Sequence, residues 1–194
     1  MKIYSISVHN ADTKPATPLT SESELSAFGY FQRKYVQESM RFVASTIIER
    51  TNPGQRKSVE EEGFVGHAYV RSDGAGGVII SDKEYPPRVA FSLLNKILDE
   101  FTACCPKHQW TKGISYPELR EYINKYQDPK EADAIMGIQR ELDETKIALH
   151  KTIESVLLRG EKMDMLIEHS TELSNQTKIF YKTSKKTNSC CIVM

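Results

Sequence analysis

Leu157-Leu158-Arg159-Gly160-Glu161-Lys162-Met163 sets a permanently charged guanidinium inside an apolar repeat. Steps of three and four residues run from Ile135 through Ile138, Leu142, Thr145, Leu149, Thr152 and Val156 to Arg159. They continue in step through Met163, Leu166, Ser170, Leu173, Thr177, Phe180, Ser184 and Thr187. This is the spacing of a coiled-coil strand, and it predicts a helix from about Asp133 to Thr187. A guanidinium buried in such a seam without acceptors is strongly unfavourable, because Arg stays charged and carries five donors in a planar fork. The physical solution is a layer of side-chain carbonyls, such as those of glutamines, on neighbouring helices. Such a layer also sets register, as single polar seam residues do. The alternative is a seam that drifts and leaves Arg159 in solvent, but the apolar positions keep step on both sides of it. A homodimer would stack two uncompensated guanidiniums, so the partner helices must differ from this one. Gly137 and Gly160 each lower helicity by about 1 kcal/mol relative to Ala. The segment therefore needs partners to be fully helical.

The first 130 residues have a different character and read as a mixed α/β domain. Ile3, Tyr4, Ile6 and Val8 mark an opening strand, Phe64 to Val70 a second, and Val78-Ile79-Ile80 a third. Ser72-Asp73-Gly74-Ala75-Gly76-Gly77 reads as a hairpin connection. It is not a phosphate loop, since no Gly-Lys-Ser/Thr follows and a strand rather than a helix comes next. Helices are expected from Gln32 to Arg50, stopped by Asn52-Pro53-Gly54, and from Pro86-Pro87 to just before Pro106. A shorter one is expected from Pro117 to Tyr126. On the first helix, Val36, Met40, Val43 and Ile47 form the core stripe, while Tyr35 and Phe42 superpose on the opposite side. Either they are buried incidentally within the same domain, or they form a docking groove for another segment. The linker Gln127-Asp128-Pro129-Lys130 divides the chain into residues 1–130 and 134–194.

The tail adds a third signal. Cys191-Ile192-Val193-Met194 is a prenylation box, and a terminal Met favours farnesyl. One lipid chain anchors only reversibly, so a second signal is needed. Cys190 offers a site for palmitoylation. Lys178, Lys182, Lys185 and Lys186 follow the last acidic residue, Glu172, and suit anionic lipid. Equal numbers of acidic and basic side chains, 26 of each, give no charge signature for nucleic acid. No apolar run approaches the ~20 residues of a membrane-spanning helix, and the N-terminus lacks the apolar core of a signal peptide. The chain is expected on the cytosolic side of membranes. The cysteines form two adjacent pairs, Cys104-Cys105 and Cys190-Cys191, which is neither a disulfide framework nor a zinc spacing. His9, His67, His108, His150 and His169 show no ligand or nucleophile pattern with them, so an enzyme is disfavoured.

An α/β domain, a heptad segment with a central Arg159-Gly160 and a Cys-Cys-Ile-Val-Met end together resemble the lipid-anchored longin R-SNAREs, across the whole chain. The resemblance implies an α+β fold: a profilin-like longin domain with a five-stranded antiparallel sheet flanked by helices, then an R-SNARE helix. It implies that Arg159 is the ionic-layer residue, hydrogen-bonded to glutamines of three Q-type SNARE helices. It implies farnesyl on Cys191, palmitoyl on Cys190, removal of Ile192, Val193 and Met194, and no other cofactor. It also implies a longin domain that folds back on its SNARE segment or on lipid, a behaviour matched by Phe42 and Tyr35, the groove residues singled out by helical angle. The expected function is vesicle docking and fusion on the cytosolic face of Golgi, endosomal, vacuolar and other secretory membranes, with a cytoplasmic pool. The competing reading is a lipidated adaptor that binds a small GTPase without a fusion role. Cys191→Ser is expected to abolish prenylation and release the chain to the cytosol. Cys190→Ser should keep the prenyl group and weaken stable attachment. Equal membrane fractions for wild type and Cys191→Ser would refute the anchoring claim.

Overall fold

The computed structural model describes residues 2–61, 63–127 and 147–190. Five strands come from the N-terminal half: β1 (Ile3–Asn10), β2 (Thr17–Ser23), β3 (Arg56–Glu61), β4 (Phe64–Val70) and β5 (Ala75–Asp82). They pair antiparallel, and a sixth strand from the C-terminal half, β6 (Ile147–His150), adds in parallel to β3. The sheet order is β2-β1-β5-β4-β3-β6. The five-stranded antiparallel sheet is therefore present and extended by one strand. β2 and β3 were not legible in the sequence. β2 buries Leu19 alone, and β3 buries only Ser58 and Val59.

Two helices cover the two faces. α2 (Pro87–Cys104) begins with Pro in its first turn, where a missing N–H costs nothing. It lays Phe91, Leu94, Leu98 and Phe101 on Ile3, Ile6 and Ile79. α3 (Glu118–Lys125) closes the same layer through Leu119 and Ile123. Gln127 then clamps the end of the domain to β1, accepting from the Ile3 amide at 3.1 Å and donating to its carbonyl at 2.6 Å. On the other face lies α1 (Arg33–Glu49), with Val36, Met40, Ala44, Ile47 and Ile48 buried. The expected stripe shifts slightly: Ala44 and Ile48 replace Val43, which is half-buried.

Gly76 and Gly77 are not part of a turn, as the sequence suggested. They lie inside β5 because helices crowd the sheet there. A Cβ on Gly76 would meet Ile48 at 2.9 Å, and one on Gly77 would meet Leu94 at 2.8 Å. Only Gly74, at φ +91°, serves the turn itself.

The C-terminal half departs most from expectation. The predicted continuous helix is absent from its described part, and Ile135, Ile138, Leu142 and Thr145 lie outside the described residues. β6 is followed by a 3-10 turn at Ile153–Val156, then α4 (Met163–His169) and α5 (Asn175–Cys190). Between the turn and α4, Gly160 sits at φ +90°, which ends any helical run. The apolar seam residues Val156, Met163 and Leu173 are buried all the same, in one cluster with α1 and the sheet. Their need for burial is met by the N-terminal domain rather than by partner helices.

Gly77→Val is expected to force Leu94 and Leu98 away from the sheet and cost about 1–3 kcal/mol. Urea unfolding checks this; an unchanged midpoint would show that the close approach is not limiting.

Candidate functional site

The site is the surface on which residues 147–184 lie. The edge of β3 presents unpaired amides and carbonyls, and β6 satisfies them with Arg56↔Ile147 and Val59↔His150 as the outer pairs. An uncovered edge of this kind would invite foreign strands. Just beyond β6, the Ile153 amide donates to Glu61 Oε2 at 3.1 Å. Ile153, Val156, Met163, Ile167 and Leu173 then insert beside Met40, Ala44 and Ile47 of α1. Each fully buried aliphatic side chain contributes about 1.5–3 kcal/mol gross, and the ordering entropy of a long segment offsets much of the total.

Polar contacts fix the register of this apolar seam. Arg50, just past the end of α1, grips Glu161 with Nη2 at 2.8 Å from Oε1 and Nε at 3.2 Å from Oε2. The Leu158 amide also donates to Glu161, at 2.9 Å. That amide and then the Arg50 guanidinium hold the Glu161 carboxyl below its ordinary pKa. Further along, Glu38 of α1 receives the hydroxyls of Ser174, at 2.7 Å, and Thr177. Burial opposes the charge on Glu38, but those hydroxyls and the Ser174 amide outweigh it, so its pKa falls. Ser174 also caps α5 by accepting from the Thr177 amide at 3.3 Å.

Tyr35 and Phe42, the two aromatics on the far side of α1, both meet the C-terminal half. The Tyr35 ring stacks on Phe180 of α5 with centroids 5.7 Å apart. Phe42 is half-buried in the cluster that contains Leu173 and Leu166. It lines one cleft closed on the other side by residues from Gly160 to Glu172, and a second walled mainly by β2 and residues 112–117, with Glu172 and Leu173 at its edge. A third, mostly apolar cavity of about 280 Å³ lies between α1, the sheet and α5, walled by Phe28, Val36, Met40, Phe64, Phe180 and Tyr181.

Other residues singled out in the sequence are placed differently. Arg159 is exposed, in the turn between two buried anchors, Val156 and Met163. The turn carries this charged fork outward. Lys178 donates to the Glu168 carbonyl at 2.9 Å, and Lys182 stands 3.9 Å from its carboxylate. Lys185, Lys186 and Cys190 lie on α5. Cys191, Ile192, Val193 and Met194 fall outside the described residues. Cys104 and Cys105 end α2 with Sγ atoms 3.2 Å apart, and burial first, then its neighbour, pushes the Cys104 thiol up to about 11. Sequence reasoning missed Glu38, Arg50, Glu61 and Glu161. Their chemistry is legible only once α1 and the distant C-terminal segment are adjacent.

Residues 25–128 match the longin family, described as a regulated-SNARE-like domain, and residues 134–192 match the synaptobrevin family. The chain is 58% identical over 196 residues to the synaptobrevin homolog ykt6 of Schizosaccharomyces pombe, with 100% of both chains covered. It is 54% identical to the YKT6 synaptobrevin homolog of Yarrowia lipolytica and 51% to that of Saccharomyces cerevisiae, each over 200 residues and again with 100% of both chains covered.

Arg50→Ala is expected to loosen the segment around Glu161, raising amide exchange in β6 and protease cleavage between residues 150 and 174. Glu161→Arg alone should do the same, and Arg50→Glu with Glu161→Arg should restore protection. Exchange that is indifferent to all three variants would show that the ion pair does not hold the segment.

Proposed function

The chain belongs to the longin-domain synaptobrevin family, and from that premise we propose a closed R-SNARE whose fusion helix is stored on its own longin domain. It is an R-SNARE of vesicle fusion. The finer reading takes residues 1–130 as the longin domain and 134–194 as the R-SNARE motif with its tail. In the closed form Val156, Met163 and Leu173 are occupied by α1 and the sheet. When they leave, the segment from about Asp133 to Thr187 winds into one helix and zippers with three glutamine-bearing SNARE helices. Arg159 then enters the ionic layer and donates to their side-chain amide oxygens. Its exposure in the closed form supports this: the charge waits in solvent until acceptors are supplied. The single observation that carries the reading is that seam residues flanking Arg159 are buried against the longin domain while Arg159 is not.

The anchor in this proposal is covalent lipid, farnesyl on Cys191 and palmitoyl on Cys190, aided by Lys178, Lys182, Lys185 and Lys186. Among the described residues no helix is long and apolar enough to cross a membrane, so a lipid anchor is the complement the mechanism needs to transmit force to a bilayer. Phe42 and Tyr35 serve as groove residues that hold the SNARE segment or a lipid chain. The work is mechanical: burial of seam layers draws two membranes together, on the cytosolic face of Golgi, endosomal and vacuolar membranes. The GTPase-adaptor reading uses the longin domain but leaves Arg159 without a task.

The test mixes the full chain with three candidate Q-type helices and follows assembly rate and melting. Phe42→Glu is expected to open the chain and speed assembly without raising the final melting temperature. Arg159→Leu should still assemble, because an apolar layer can preserve stability, but with register slips visible in cross-links. Arg159→Asp, which offers no donors to the amide oxygens, should assemble worst. A segment that bundles with itself, indifferent to residue 159, would overturn the reading.

A further inference from the structure

The loop between β2 and α1 carries a feature that neither the closed contacts nor the zippering uses. Tyr30 and Phe31 are 79% and 86% exposed, the two most exposed large hydrophobic side chains among the described residues. They are edge-to-face with each other, centroids 5.6 Å apart. The loop under them is pinned. Leu25 is buried. Phe28 packs edge-on against Tyr4, with centroids 5.7 Å apart. The Phe28 amide donates to the Leu25 carbonyl at 3.0 Å and the Gln32 amide to the Gly29 carbonyl at 2.8 Å. Arg33 ties the loop further by donating to the Phe28 and Ser26 carbonyls. Two aromatics are thus held out by a rigid turn, rather than left on a loose one.

Two observations say what they meet. The first is charge: Arg33, Lys34 and Arg120 are exposed, and the pKa of Glu24 in the same loop is lowered first by its hydrogen bonds from Ser26 and then by the charges of Arg33 and Arg120. The second is where the chain leads. α5 runs antiparallel to α1: Thr177 meets Glu38, Phe180 meets Tyr35, and Ser184 shares a cavity wall with Gln32. Steps of three and four along α5 descend three at a time along α1. At about 1.5 Å per residue, the last six residues of α5 carry the chain about 9 Å past Ser184, beyond the N-terminus of α1 and toward Tyr30 and Phe31. Lys185, Lys186 and Cys190 belong to those last six residues of the helix.

We propose that Tyr30 and Phe31 form a membrane-contact site, inserting at the headgroup level of an anionic bilayer while Arg33, Lys34 and Arg120 face lipid phosphates. Aromatic side chains favour this depth, and basic neighbours add attraction to an anionic leaflet. Membranes would thereby be met by the closed chain, tail and loop together, before any helix is released. The proposal deepens the membrane reading above but needs no lipid on the cysteines, so the two can fail separately.

The test uses the full chain with Cys190→Ser and Cys191→Ser, co-sedimented with phosphatidylcholine–phosphatidylserine vesicles and with phosphatidylcholine vesicles. Measurable binding to the anionic vesicles is expected, with roughly tenfold or greater loss for Tyr30→Ser/Phe31→Ser. Lys34→Glu should lower binding only to the anionic vesicles. Phe31→Trp, placed on a Trp110→Phe chain, should blue-shift on adding anionic vesicles and be quenched by brominated lipid. Both loop residues are exposed, so the melting temperature should not move. Equal sedimentation of the double-serine variant and its parent would overturn the proposal. So would an unshifted Trp, or a double-serine variant whose only change is faster proteolysis of residues 150–184.

Discussion

α1 is shared between two apolar surfaces, and the closed structure depends on that sharing. One side, through Ile47 and Ile48, packs on the sheet; the flank carrying Tyr35 and Phe42 is covered by the C-terminal half. A helix with hydrophobic residues on more than one side must be covered more than once. In this chain the second cover is the SNARE segment itself. The same side chains, Val156, Met163 and Leu173, are demanded by the heptad seam. They cannot pack on α1 and on partner helices at once, so under the proposed mechanism storage and zippering exclude each other.

The polar contacts have a different task from the apolar ones. Hydrophobic burial is non-directional and would tolerate a segment shifted by a turn. Arg50 on Glu161 and Glu38 on Ser174 and Thr177 allow one register. They sit at the partly exposed rim of the apolar cluster, where water screens them, so they specify more than they stabilise. A lock of this type holds a conformation without making release prohibitive. Its parts are local: one strand edge, one apolar stripe and three carboxylates, those of Glu38, Glu61 and Glu161.

The fold was legible wherever one element answers to one demand. α2 was readable from Pro87 and its stripe of Phe91, Leu94, Leu98 and Phe101, and β4 from the run Phe64 to Val70, because each has a single hydrophobic purpose. β3 was hidden because Arg56, Lys57, Glu60 and Glu61 make it look like a loop; its strand state is set by neighbours on both sides. Gly76 and Gly77 misled for a similar reason, since a glycine that makes room for a helix looks the same in sequence as one that makes a turn.

The C-terminal half separates the two sources of information most sharply. Sequence by itself determined the family, the heptad seam with Arg159 at its centre, and the aromatic pair on the far side of α1. These follow from periodicity and residue chemistry, which do not depend on what the segment touches. Tertiary structure alone decided that residues 147–150 are a strand, that Gly160 breaks the helix at φ +90°, and that Arg159 stands in solvent. The physical reason is that an isolated heptad strand has no intrinsic conformation strong enough to persist without partners. Its backbone takes the shape of whichever surface buries its apolar side chains. In this structure that surface is the chain's own longin domain.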